Sequence, residues 1–212
     1  MFKKLILSLA LFVTLGFGVT IKDAINAKNK GDFQTAFKIY EILANKEDAV
    51  AQYFLGTMYE DGKGVKQDYK KAIEWYEKSA SQGLAEAQYS LGNKYLHEYY
   101  DIKQDYKKAF YWYEKASNQD DYYSQHALGS MYANGLGIKQ DYKKAFYLYQ
   151  KAANKGLGIA QRDLGTMYYF GNGIEINKKK AYEYWLKASN QGDAIATKNI
   201  NILCKESPFV CK

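Results

Sequence analysis

The sequence predicts an all-α solenoid of antiparallel helix pairs. Three observations predict it: a beat of about 36 residues runs through the chain, each copy carries two helical stripes, and glycine turns stand between the stripes. The heptapeptide Lys-Gln-Asp-Tyr-Lys-Lys-Ala ends at Ala72, Ala109 and Ala145, with diverged versions ending at Ala36 and Ala181. The intervals between these alanines are 36, 37, 36 and 36 residues. A second landmark keeps the same beat: Ala51-Gln-Tyr-Phe-Leu-Gly56 returns with its glycine at Gly92, Gly129 and Gly165, and without one at Asn201.

Each element follows from these marks. In the first helix of a unit, Leu55, Gly56 and Tyr59 share one stripe. Glycine inside a helix costs about 1 kcal/mol, so its recurrence predicts close approach of a neighbour, with the small residue opening the second helix (Ala72, Ala109, Ala145 or Ala181) as the expected visitor. In the second helix, Ala72, Tyr76 and Ser79 form the buried stripe, repeated as Ala109/Tyr113/Ala116, Ala145/Tyr149/Ala152 and Ala181/Trp185/Ala188. Asp32, Asp68, Asp105, Asp141 and Asn177 stand four residues before the repeating alanine, where an N-cap belongs. Gly62-Lys-Gly64, Gly135-Leu-Gly137 and Gly171-Asn-Gly173 supply the reversal within a unit, and Gly83, Gly156 and Gly192 close the second helix. One domain is expected over 19–212: a partial repeat at 21–47, repeats at about 48–83, 84–120, 121–156 and 157–192, and a terminal helix and cap at 193–212.

Residues 1–18, MFKKLILSLALFVTLGFG, precede this domain. Lys3 and Lys4 form a positive n-region, Leu5 to Leu15 an apolar h-region, and Gly16-Phe17-Gly18 a small-x-small cleavage site. The stretch reads as a signal peptide and the chain as exported, periplasmic or secreted. An uncleaved amphipathic anchor is the alternative, and no stable membrane span is expected after cleavage.

The formal charge is +7, from 30 basic and 23 acidic residues. A basic chain raises nucleic acid as a partner. Every basic residue except Arg162 is lysine, which lacks the planar fork used for bidentate phosphate and base contacts, so nucleic acid is not expected and the lysines read as a solvated face. Tyrosine is abundant, at 22 residues, and suits a thin structure with much surface.

A unit reading A-x-x-x-L-G-x-x-Y-x-x-G-x-G-V-x-x-D-x-x-K-A-x-x-W-Y-x-K-A resembles the Sel-1-like repeat, a relative of the tetratricopeptide repeat, over roughly Ile21 to Leu203. The resemblance implies a right-handed superhelix with a concave groove, acting as an adaptor or scaffold. In size and export signal it is similar to the secreted Helicobacter cysteine-rich type, whose members carry a β-lactamase or penicillin-binding label. The cysteine pairs of that type fall here on Ala80 and Gln88, Ser117 and Gln125, and Ala153 and Gln161, so the per-repeat disulfides are absent.

The residues offer little catalytic chemistry. No S-x-x-K, K-T-G, H-E-x-x-H, G-x-S-x-G or phosphate loop occurs, and two histidines, His97 and His126, do not make a metallo-hydrolase. No cofactor or metal is expected, and β-lactamase is the one enzyme candidate, on resemblance alone. Cys204 and Cys211 read as a structural bridge folding the tail over the last repeat, with a redox pair as the rival reading. His97-Glu98-Tyr99-Tyr100-Asp101 and Asp120-Asp121-Tyr122-Tyr123 break the repeat in loops, as hot-spot material or as drift.

By the tetratricopeptide analogy, the groove-facing positions are three residues before the repeated glycine and one after it. They read Tyr53, Tyr89, His126 and Arg162, then Thr57, Asn93, Ser130 and Thr166. This aromatic and basic row beside small polar side chains suits an extended peptide or an acidic C-terminus, and a cell-wall component almost as well. The expectation is a monomeric scaffold binding protein or peptide. The alternative is a cell-wall-directed β-lactam-binding protein.

Overall fold

The computed structural model describes residues 18–98 and 103–211. Residues 1–17 of the expected signal peptide, and 99–102 of the first irregular loop, lie outside the described residues. Among the described residues there are eleven α-helices and no strand. Contacts divide the chain into two compact units, residues 1–94 with 98–103, and residues 95–97 with 104–212. The division falls where the loop lacks its Gly-x-Gly turn.

The first unit holds α1 (Ile21–Asn29), α2 (Phe33–Ala44), α3 (Ala49–Asp61), α4 (Tyr69–Ser81) and most of α5 (Ala85–Leu96). The second holds α6 (Tyr106–Ser117), α7 (Tyr122–Asn134), α8 (Tyr142–Asn154), α9 (Gly158–Phe170), α10 (Lys178–Ser189) and α11 (Ala194–Glu206), closed by a 3-10 turn at Pro208–Cys211. Successive helices pack as pairs, α1 on α2 and α3 on α4, then α7 on α8 and α9 on α10; between pairs, α2 packs on α3, α6 on α7, α8 on α9 and α10 on α11.

The second helices start where the caps predict. Asp32, Asp68, Asp105, Asp141 and Asn177 each accept a backbone N–H of the first turn, at 2.9–3.1 Å, worth about 1 kcal/mol apiece. Asp48, Asp121 and Asp193 cap α3, α7 and α11 in the same way. The glutamine before the second-helix cap is a brace. Gln67, Gln104 and Gln140 donate to the carbonyls of Glu60, Leu96 and Ala133 at 2.7–2.8 Å, satisfying the open end of the preceding helix.

The interior glycines do receive a neighbour, but its identity differs from the expectation. A Cβ on Gly129 would lie 2.9 Å from two ring atoms of Tyr149, and one on Gly165 would lie 2.6 Å from the Trp185 ring. The visitor is thus the ring four residues beyond the repeating alanine. At Gly56 and Gly165 the alanine adds its carbonyl, Ala72 O at 3.2 Å and Ala181 O at 3.1 Å. Rings fill the gap because the alanine side chain is too short to reach across the crossing. The buried stripes therefore combine small residues with a large ring, and Tyr40, Tyr76 and Tyr113 are almost wholly enclosed, each contributing about 2 kcal/mol by burial.

A second recurrent contact ties each helix pair to the one before it. Gln52 and Gln88 donate from Nε2 to the carbonyls of Ala44 and Ala80 at 3.2 and 3.0 Å, and Gln161 to Ala153 at 3.3 Å. Positions 80/88 and 153/161 are where the cysteine-rich type carries its pairs, so an amide-to-carbonyl bond stands in place of a covalent one. The clamp is itself held: Gln82 donates to Gln52 Oε1 at 2.8 Å and Gln191 to Gln161 Oε1 at 2.9 Å. At 117/125 the pattern changes, and Gln125 donates to Asp120 Oδ1 at 3.2 Å. Asp120 takes the left-handed conformation there, with φ 61, where Gly83, Gly156 and Gly192 stand at three other junctions and Glu47, φ 65, at the first. Asp120 and Asp121 therefore have structural work in this junction, as its turn and its cap.

The sulfurs of Cys204 and Cys211 lie at disulfide distance, with their Cα atoms 5.7 Å apart. The 3-10 turn packs on α10 and α11, and Lys178 donates to the Ser207 hydroxyl at 3.0 Å.

Candidate functional site

The row positions of the first helices are built differently in the two units. In the first unit, Tyr53, Thr57 and Asn93 line a cleft of about 400 Å³ that also takes in Lys28, Glu60 and Lys94. The Tyr53 ring leans on Tyr76 at 5.7 Å between centroids, and its hydroxyl is hydrogen-bonded to Ser90. Thr57 donates to its own helix, at Phe54 O, 2.7 Å. Glu60 accepts from the Tyr76 hydroxyl at 2.7 Å and pairs with Lys94. The Lys28 ammonium sits 5.4 Å from the centre of the Phe54 ring. Burial, with the Glu60 carboxylate adding to it, pushes the Tyr76 hydroxyl well above its ordinary range, and burial pushes Tyr53 upward too. Both phenols therefore stay neutral donors. The cleft mixes carboxylates with ammonium groups and hydroxyls.

In the second unit the same register is bridged from repeat to repeat. His126 Nε2 meets Asp163 Oδ2 at 2.8 Å, and its ring packs 5.2 Å from Tyr149. Arg162 donates from Nε to Asp163 Oδ1 at 3.0 Å and from Nη1 to Asp193 Oδ2 at 3.1 Å. Thr166 donates to the Arg162 carbonyl at 3.0 Å, as does the Trp185 indole at 3.0 Å. Ser130 is bonded by Tyr149, whose hydroxyl is raised above its usual range mainly by burial and next by the Asp163 charge.

The eight row residues expected from the sequence thus share a register, but all are half-buried. Tyr53, Thr57 and Asn93 meet in one cleft, and Tyr89 holds the position after Tyr53 on α5. His126, Arg162, Ser130 and Thr166 are engaged in contacts within the second unit, where a solvent-facing row was expected. The physical reason is a neighbouring acid: Asp163 is hydrogen-bonded to both His126 and Arg162, and Asp193 to Arg162. The sequence reading passed over Lys28, Glu60, Lys94, Asp163 and Asp193. Asp163 had a signal, since α7 and α9 carry no acid besides it. No described helix is long and apolar enough to cross a membrane.

Comparison with known proteins agrees with this architecture. The Sel1 repeat family profile matches residues 49–84, 85–121, 123–157 and 158–193. A Sel1 repeat protein from Oxalobacter formigenes is 31% identical, with TM-score 0.79, over 85% of this chain and 74% of that one. A protective antigen present in uropathogenic Escherichia coli strains, displaying an SLR fold, is 31% identical with TM-score 0.76 over 82% of this chain. The present chain spans only 37% of that antigen. Helicobacter pylori cysteine rich protein B is 30% identical over 63% of this chain, with TM-score 0.49. No functionally curated protein matches the chain. With four matched repeats over more than half its length, the chain belongs to the Sel1 repeat family of helical scaffolds for protein–protein interaction.

Proposed function

We propose that this protein is an exported scaffold that binds a peptide segment of a partner protein along its first-helix lane, with the cleft of the first unit as the anchor. The observation that supports the reading is the contrast within the lane. Where His126, Arg162, Asp163 and Asp193 bridge one another in the second unit, the first unit keeps a cleft of about 400 Å³. Lys28 faces that cleft beside the Phe54 ring, and a peptide carboxylate suits it, with the Tyr53 ring and the Asn93 amide offering stacking and backbone hydrogen bonds. Export follows from the charged, apolar and small-residue segments of residues 1–18.

Peptide display against the folded chain tests this. Enriched peptides should bind wild type and lose at least tenfold with Lys28→Gln or Asn93→Ala, while Arg162→Gln leaves affinity within about threefold. Equal loss for all three variants, or none for the first two, refutes the assignment. Export is checked by whether a chain lacking residues 1–18 stays in the cytoplasm while the full chain leaves it.

A further inference from the structure

The second unit carries a lattice of lysines that neither the fold nor the peptide-binding lane uses. Helices α6, α8 and α10 hold ten lysines against two acids, Glu114 and Glu183. Their partners α7 and α9 hold no lysine, only the balanced Arg162 and Asp163. The segregation is strict in register. Two residues before the buried alanines Ala109, Ala145 and Ala181 stand Lys107, Lys143 and Lys179; one residue before stand Lys108, Lys144 and Lys180. Six residues after come Lys115, Lys151 and Lys187. At 100° per residue these positions fall within an arc of about 100° opposite the buried stripe.

Two features distinguish this face from an ordinary solvated one. Among the described residues, Lys151 is the one lysine of these nine in an ion pair, with Asp120 at 3.0 Å. Others lie over rings: Lys108, Lys144 and Lys180 are 4.8–5.1 Å from the centres of Tyr95, Tyr132 and Tyr168. The second feature is exposed apolar surface on the same arc, Tyr111 at 48%, Tyr147 at 60% and Leu186 at 39% exposure. A hollow of about 530 Å³ opens beside Lys143, Tyr147 and Lys151.

We propose that the α6, α8 and α10 face of the second unit docks on an anionic lipid bilayer surface. The lattice is two-dimensional, with one row on each of the three helices and each row about 12 Å long. A sheet of anionic headgroups matches it, whereas a single polyanionic chain can follow only one row. Lysine point charges suit a diffuse surface potential. Exposed tyrosines between them suit the headgroup layer, where an amphipathic ring keeps one edge wet.

The test uses the full chain and sedimentation with vesicles of phosphatidylcholine alone or with roughly a third phosphatidylserine. Binding should require phosphatidylserine and fall steeply between about 0.1 and about 1 M salt, as the screening length drops to about 3 Å. The triple variant Lys107→Gln, Lys143→Gln, Lys179→Gln removes one row that touches no ring or acid in the structure, so the fold should hold by circular dichroism. It should lose at least tenfold in partitioning. The charge-matched triple Lys22→Gln, Lys30→Gln, Lys198→Gln, at exposed sites outside the lattice, should lose less than about threefold, on about 1 kcal/mol per lysine near the surface. Both variants keep residues 1–18, so anything that segment adds is common to them. Equal losses in the two triples, indifference to phosphatidylserine, or binding to a single-stranded oligonucleotide that vesicles do not displace would each overturn the proposal.

Discussion

Lys155→Gln is expected to stabilise this protein although the Lys155 side chain is exposed and the residue closes α8 through its backbone N–H, which the substitution keeps. The reason lies at Gln125, which is fully buried and whose Oε1 has no donor among the described residues. In the first and fourth of these repeats, the equivalent oxygen is satisfied by the glutamine ten residues after the repeating alanine: Gln82 for Gln52 and Gln191 for Gln161. In this repeat that position is Lys155. A buried acceptor without a donor costs about 1–3 kcal/mol, and a hydrogen bond regained is worth about 1 kcal/mol net. Ordering a surface glutamine offsets part of that, so the expected gain is about 1 kcal/mol. With a urea slope of about 2 kcal/mol per molar, the midpoint should rise by about 0.5 M. Lys155→Met removes the same charge without supplying a donor and should leave the midpoint unchanged. The reciprocal Gln191→Lys should lower it by a similar amount. An equal gain from methionine and glutamine would show that relief of charge, not the missing donor, is what matters. No gain from glutamine would mean that water already reaches Gln125.

Three further outcomes follow from the packing. Gly129→Leu should lose about 3 kcal/mol by driving a side chain into the Tyr149 ring, against about 1 kcal/mol for Gly135→Leu, where φ 68 alone opposes the substitution; denaturant midpoints compare them, and equal losses contradict the packing role. Tyr76 and Tyr149 both have raised folded values, so their stabilisation is complete below the unfolded value of 10.0 and is lost as pH rises beyond it. Alkaline titration should show some tyrosines ionising only together with loss of helical ellipticity; smooth ionisation of all of them with the helices intact would contradict that burial. Protein from its native compartment should show Cys204 and Cys211 linked on non-reducing peptide mapping, and reduction should fray α11 while sparing most of the helical signal; two free thiols, or collapse of the whole signal, would contradict the capping role.

The local layer of the fold was legible in the sequence because its signals act over a few residues. Each Asp or Asn cap sits one turn from the N–H it accepts, and the helix stripes repeat at 3.6-residue spacing. The layer that was misread or passed over joins residues about 20 to 30 apart, such as Gln82 to Gln52, Tyr76 against Gly56, and Arg162 to Asp193. Those contacts depend on which face of one pair meets the next. They do leave a trace, since glutamine recurs four residues before each interior glycine, at Gln52, Gln88, Gln125 and Gln161. A buried polar residue at constant register signals a structural hydrogen bond. The groove row was located by analogy and its register is real. What the analogy lacked was the acid beside each base, which converts His126 and Arg162 from ligand-seeking side chains into internal bridges.

This distribution of charge explains how one repeated unit supports two different surfaces. The Ala, Leu, Gly and ring positions that build the helix pairs are nearly invariant along the chain, because each must fill the same gap. Outside these positions and the caps and glutamine clamps, the surface charges vary by unit. In α4 of the first unit, Lys70, Lys71 and Lys78 are balanced by Glu74 and Glu77, whereas α8 of the second unit carries three lysines and no acid. In the lane, the first unit mixes Lys28, Glu60 and Lys94 around a cleft, while the second closes the same register with ion pairs. A solenoid separates these choices cleanly because each repeat contacts only its neighbours. The proposed peptide-binding cleft and the proposed lipid-docking face thus fall on different units, each built on its own repeats.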